Sequence, residues 1–361
     1  MARDADPGEC DVRPVSPRYG HGLVLGKFYP LHAGHGALIR RATMDCGRVT
    51  VQVLASEVES VSLQTRMGWL REEHPTVTVV GGYDEAEVDY GSPAAWDAHM
   101  RVISGLLDAP VDAVFTGDDY GAELARRLDA EWVRADRAEI PVSGRAVRAD
   151  VAGHWHLLPA AVRRALTPRV VVLGAESTGT STLAADLAEA LGTVWVPEYG
   201  REYTEIRAGG LHAPWRDDEF ELIVDRQLAA EAAAARRAPR PLLVCDTDVL
   251  ATAVWFERYR GRWPAALHRR ALDHPPLLYL LTGDEIPFVA DGMRDGEHIR
   301  PEMARRFREV LAAQPVPWTE LRGDRRHRLA AAVRAVEARL PEAFRFADPL
   351  EMRADSPLPR R

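Results

Sequence analysis

The chain has 361 residues and a formal net charge of −8, from 46 Lys and Arg against 54 Asp and Glu. That length predicts two domains, each able to bury a core, and the acidic balance excludes a chain-wide basic footprint for nucleic acid. Cys10, Cys46 and Cys245 have neither paired nor metal-ligand spacing, no apolar run is long enough for a bilayer, and residues 1–20 lack a signal-peptide core, so a cytoplasmic protein without a membrane partner is expected.

In chain order, residues 1–20 are rich in Asp, Pro and Arg and read as a disordered lead-in. A nucleotide-handling domain is expected over 21–158. Short β-branched runs at 23–25, 49–54, 77–80 and 111–115 alternate with helical stretches at 65–73 and 94–107, which predicts a parallel sheet between helices. After the first run stands Gly26-Lys27-Phe28-Tyr29-Pro30-Leu31-His32-Ala33-Gly34-His35, entering a helix. A helix start presents unpaired N–H groups and the positive end of a dipole. His32 and His35, at i and i+3, share a face and could reach one triphosphate, or else simply cap a loop. Late in this domain comes Val142-Ser143-Gly144-Arg145-Ala146-Val147-Arg148. Ser143 offers a hydroxyl at a helix start and Arg148 a planar fork for phosphate; an N-cap with a solvated arginine is the plainer alternative.

The pattern restarts at 169–173, so a second domain is expected over 159–347, with the boundary near 155–168 and a disordered tail over 348–361. Directly after this strand lies Gly174-Ala175-Glu176-Ser177-Thr178-Gly179-Thr180-Ser181-Thr182, the frame of a P-loop with Thr180 where lysine is usual. Gly174, Gly179, Thr180, Ser181 and Thr182 are the candidates to cradle ATP, with Ser181 also on Mg²⁺. The alternative is a glycine-rich turn that binds nothing. A strand at 241–248 ends in Asp246 and Asp248, which marks Asp246 as a metal-binding or base candidate. The loop carrying Arg294, followed by Arg300, could close over phosphates and restore the charge that Thr180 lacks. The alanine-rich stretch 228–235 reads as plain helix.

The histidine motif resembles that of nucleotidyltransferases. Taken with Phe115-Thr116-Gly117-Asp118-Asp119-Tyr120-Gly121, Pro197-Glu198-Tyr199-Gly200-Arg201-Glu202-Tyr203, Asp246-Thr247-Asp248 and 291–295, the chain over about 20–340 is similar to the bifunctional nicotinamide-nucleotide adenylyltransferase/ribosylnicotinamide kinase family of the NadR type. The resemblance implies two doubly wound α/β domains, a Rossmann-like nucleotidyltransferase and a P-loop kinase-like one. It implies ATP, nicotinamide riboside, nicotinamide mononucleotide and NAD as ligands, with Mg²⁺. On this likeness His32, His35, Lys27, Ser143 and Arg148 hold the triphosphate, with Gly26 and Phe28 shaping the loop. Arg145 stands where that family has Thr.

Arg66 and Trp69 are candidates for the nicotinamide side, or else a surface cation and a core aromatic. Glu198, Tyr199 and Arg201 would wall the riboside site, Asp248 would meet the ribose, and Arg294 would close the loop. Enterobacterial members also carry an N-terminal DNA-binding domain that a short lead-in could not form, so no DNA binding is expected. A second unit that senses nucleotide without transferring phosphate, and a different phosphorylated acceptor, both stay open, as does a homo-oligomer.

Overall fold

The computed structural model describes residues 16–136, 140–210, 213–289 and 296–350. The chain divides into two compact units, Met1–Val142 together with Ala347–Arg361, and Ser143–Phe346.

The first unit alternates strand and helix: β1 (Tyr19–Gly26), α1 (Ala33–Asp45), β2 (Cys46–Ala55), α2 (Leu63–Glu73), β3 (Thr78–Tyr83), α3 (Pro93–Gly105), β4 (Ala113–Thr116), α4 (Gly121–Leu128) and β5 (Glu131–Arg134). Its sheet is wholly parallel, in the order β3-β2-β1-β4-β5. Val51 and Val53 of β2, with Leu23 and Val24 of β1, are fully buried, as strands covered on both faces require. Because β2 and β4 lie on opposite sides of β1, strand order reverses there. The loops after β1 and β4 therefore open the crevice in which such sheets bind ligands.

The second unit contains α5 (Gly144–Ala149), α6 (Ala160–Leu166), β6 (Arg169–Leu173), α7 (Thr180–Ala190), β7 (Val194–Val196), α8 (Tyr199–Ile206) and α9 (Asp217–Arg237). It continues through β8 (Leu243–Asp246), α10 (Val249–Arg260), α11 (Ala265–Asp273), β9 (Leu278–Thr282), α12 (Arg300–Ala312), β10 (Trp318–Leu321) and α13 (Arg325–Arg339). The parallel order is β10-β9-β6-β8-β7, with β6 in the centre. Alternate residues of the central strands feed two cores: Val171, Cys245 and Tyr279 on one face, Val170, Val244 and Leu280 on the other. The expected α/β class with two parallel sheets is thus what the chain forms.

The contacts divide the chain earlier than the sequence suggests. Residues from Ser143 onward pack with the second unit: α6 lies against α9, and the Trp155 indole N–H donates to the Ala238 carbonyl at 2.8 Å. Helix α5, with Ser143 and Arg148, is consequently part of the second unit rather than of the unit that holds the histidines. The lead-in over 1–15 and the tail beyond Leu350 lie outside the described residues.

Candidate functional site

In the first unit, β1 delivers the chain to a tight loop whose Phe28 has a left-handed φ of 47°. A bulky residue there is strained, and such strain concentrates at functional sites. The Phe28 ring is buried against the His35 ring, with centroids 4.9 Å apart. His32 caps α1, its Nδ1 accepting from the His35 backbone N–H at 3.4 Å, and its ring stacks on that of His35 at 3.7 Å between centroids. The two imidazoles therefore stand together at a helix start beside the strand-order reversal.

Lys27 is held at both ends. Its ammonium donates to Glu59 Oε1 at 2.9 Å, and its carbonyl accepts from Arg66 Nη1 at 3.1 Å. Arg66 closes the network by donating to Glu59 Oε2 at 2.6 Å, with Tyr29's ring beneath its guanidinium. Arg66 and Glu59 side chains are both fully buried. Burial alone would raise the Glu59 carboxyl, but Lys27 and Arg66 overcome it and hold the group below its ordinary range. Arg66 is thus not the surface cation that one alternative foresaw; its guanidinium is held by Glu59 and by the Val61 and Lys27 carbonyls. Trp69 is buried in the core. Glu59, 32 residues from Lys27, had no local signal to reveal it.

In the second unit, β6 leads into the P-loop frame. Gly174 has no room for a side chain: a Cβ would lie 2.3 Å from Thr282 Oγ1 and 2.7 Å from Thr178 Oγ1. Gly179, at φ 85°, starts α7 from the left-handed region, and Ser177 is left-handed at 57°. Alternating left- and right-handed residues turn successive N–H groups inward as an anion nest. At the end of β8, Asp246 is 2 % exposed. Burial raises its pKa, and the hydroxyls of Ser181 and Thr180 together with the Arg201 charge pull it partly back. Thr247, just beyond, is left-handed at φ 80°, an uncommon conformation for a β-branched residue.

Of the P-loop frame and the β8 end, Gly174, Ser177, Thr180, Ser181, Asp246 and Thr247 line one cleft, with an empty volume of about 1020 Å³ including its mouth, whereas Gly179 and Thr182 do not line it. It brings together Gly174, Thr180, Ser181, Glu198, Arg201 and Asp246. Another part of its wall, for which no periodic signal stands in the sequence, is aromatic: Trp215, Phe220, Trp255 and Tyr259.

Tyr199 and Asp248 do not line the cleft. Tyr199 packs against the core, its ring 6.4 Å from that of Tyr203. Asp248 is 2 % exposed, its carboxylate capping α10 at Ala251 N (3.0 Å) and accepting from the Tyr279 hydroxyl (2.8 Å), away from the cleft lining. Arg294 lies outside the described residues, although the stems of its loop are tied to the P-loop. Val289 N donates to Ser177 Oγ at 2.8 Å and Gly296 N to Glu176 Oε2 at 2.7 Å. Ser143 caps α5 by accepting from Ala146 N at 3.1 Å.

Comparison with known proteins covers both units. The family described as AAA domain matches residues 169–328. The trifunctional NAD biosynthesis/regulator protein NadR of Escherichia coli (strain K12) is 26 % identical over 294 residues, which is 76 % of this chain and 71 % of that protein. The protein of the same name from Salmonella typhimurium is 26 % identical over 297 residues, again 76 % and 71 %. Among solved structures, that of NadR in complex with NR has a TM-score of 0.70 at 22 % identity, covering 89 % of this chain and 96 % of that one. NadR in complex with NAD and AMP-PNP has a TM-score of 0.65 at 22 % identity, covering 90 % and 96 %. In sequence and in fold, this two-sheet α/β chain is a homologue of the NadR proteins.

Proposed function

We propose that the chain makes NAD in two successive steps, phosphorylating nicotinamide riboside in its second unit and adenylylating nicotinamide mononucleotide in its first. The observation that carries this reading is a cleft lined together by a P-loop frame, a buried strand-end carboxylate and an aromatic wall. Its homologues' ligands, a riboside, NAD and an ATP analogue, are of the kind these groups recognise.

The nest over Gly174 to Ser181 takes the ATP phosphates. The oxygens of Ser181 and Asp246 suit Mg²⁺, a hard cation that keeps few protein ligands and would neutralise charge between the transferring phosphates. Asp246, buried at the end of β8 and lining the cleft, is the group we assign to take the proton of the attacking riboside hydroxyl. Trp215, Trp255 and Tyr259 line the cleft as aromatic surface against which a planar nicotinamide would pack, with Arg207 already over the ring of Trp215 and Arg258 over those of Trp255 and Tyr259. Glu198 and Arg201 hold the polar remainder of the riboside near the mouth.

In the first unit, the mononucleotide phosphate is itself a competent nucleophile. Catalysis is therefore chiefly positioning and charge neutralisation at the α-phosphorus. His32 and His35 meet the triphosphate, and Lys27 swings from Glu59 to it.

Product chromatography after incubation with ATP and Mg²⁺, from riboside and from mononucleotide in parallel, tests this. NAD from both is expected. Thr180 favours a second reading in which the second unit senses nucleotide only; NAD from the mononucleotide with the riboside untouched would select it. NAD from neither would overturn the proposal.

A further inference from the structure

Thr180 brings no positive charge to a loop that must hold polyphosphate, yet two arginines reach that loop from its outer side. Arg300, the first residue of α12, donates from Nη2 to the Ser177 carbonyl at 3.1 Å and from Nη1 to the Ile286 carbonyl at 2.8 Å. Arg328, in α13, donates from Nη1 to the Thr178 carbonyl at 2.7 Å and from Nη2 to the Gly283 carbonyl at 3.0 Å. Both side chains are buried, and neither lines the cleft.

In a planar trans peptide the N–H points opposite to the C=O. With the Ser177 and Thr178 carbonyls drawn outward, the N–H groups of Thr178 and Gly179 must face the inner side, where a nest binds its anion. The two arginines differ in charge balance. Arg328 is neutralised by Glu285, whose Oε1 lies 2.8 Å from Nη2. Arg300 has no acidic partner among the described residues, and its Nε is buried without a hydrogen-bond partner there. A buried cation without a counter-ion is costly, and an anion bound one peptide away would relieve that cost.

We propose that Arg300 and Arg328 are positioning residues that do from behind the loop what a P-loop lysine does from within it, Arg328 orienting the nest and Arg300 supplying the charge that Thr180 lacks. This rests on the reading of the loop as an ATP site. It also revises the expectation that Arg300 would close over the phosphates, because its guanidinium is fixed to carbonyls on the far side.

The test uses the full chain with Arg300→Gln, Arg300→Lys, Thr180→Lys and the double variant Arg300→Gln/Thr180→Lys. Two readouts belong to the second unit alone: riboside-dependent ADP formation, and ATP-dependent protection of residues 174–183 from hydrogen exchange. Arg300→Gln is expected to weaken ATP in both by about tenfold to a hundredfold, with KM for riboside unchanged. Arg300→Lys should stay within about threefold of the parent, and lysine at 180 should restore ATP affinity to Arg300→Gln. Unchanged ATP affinity in Arg300→Gln, an equal loss for riboside, or failure of both lysine variants to restore affinity would overturn the inference. Protection by ATP without ADP formation in the parent would refute the kinase reading yet leave the charge comparison intact. No protection at all would refute both.

Discussion

Glu59 makes the sharpest case at the scale of single residues. Its carboxylate balances Lys27 and Arg66 where no water reaches it. Removing the charge leaves the Arg66 guanidinium buried beside a neutral amide, so Glu59→Gln should lower stability by about 3–5 kcal/mol. The folded Glu59 pKa lies below the ordinary glutamate value, so its stabilisation is fully present above that value and is lost as pH falls through the folded pKa. Thermal melts of parent and Glu59→Gln should therefore converge on acidification below about pH 4.5 and stay apart near neutrality. A constant gap would show that the ion pair is not its source. Asp246 makes a different prediction. Asp246→Asn should cut riboside phosphorylation by about 10²–10⁴-fold while pyrophosphate release from mononucleotide and ATP continues at the parent rate.

At the scale of elements, the turns after the central strands do the structural work, and glycine decides them. Gly174→Ala pushes a Cβ into the hydroxyls of Thr178 and Thr282, which are hydrogen-bonded at 2.7 Å. It should cost about 1–3 kcal/mol by overpacking and abolish ATP protection of the loop. Gly68, inside α2, has nothing within 4 Å of an added Cβ. Gly68→Ala should instead stabilise by about 0.5–1 kcal/mol, read as a rise in Tm.

The same turns explain what was legible in the sequence. The long β-branched strands β2 and β6 and the glycine-framed loop carry their signals within a few residues. The strands β5 (Glu131-Trp132-Val133-Arg134) and β10 (Trp318-Thr319-Glu320-Leu321) break their apolar residues with charged or polar ones and β7 has only three residues, so none leaves an apolar run to read, whereas β4 and β8, equally short, are apolar up to their last residue. The aromatic wall comes from the loop before α9, from α9 itself and from α10, so its members are far apart in the chain and meet only through packing. Asp248 misled for a related reason. An acid at a strand end looks the same in sequence whether it faces a cleft or caps the next helix, and here Asp246 does the first and Asp248 the second.

At the scale of the whole molecule, two sheets with their own cores carry two different strand-to-helix loops. Their chemistry should then separate by mutation. Replacing His32 and His35 together with alanine should stop adenylyl transfer and let mononucleotide accumulate from riboside, measured by chromatography; loss of both reactions would argue against separable sites. The central claim, two consecutive transfers in one chain, is tested most directly by a time course of riboside, ATP and Mg²⁺ in which ADP, mononucleotide, pyrophosphate and NAD are all quantified. The account predicts that ADP and mononucleotide rise first, and that pyrophosphate and NAD follow in equal amounts until total ADP equals total NAD. Pyrophosphate and NAD formed only when mononucleotide is supplied, with no ADP from riboside, would contradict it.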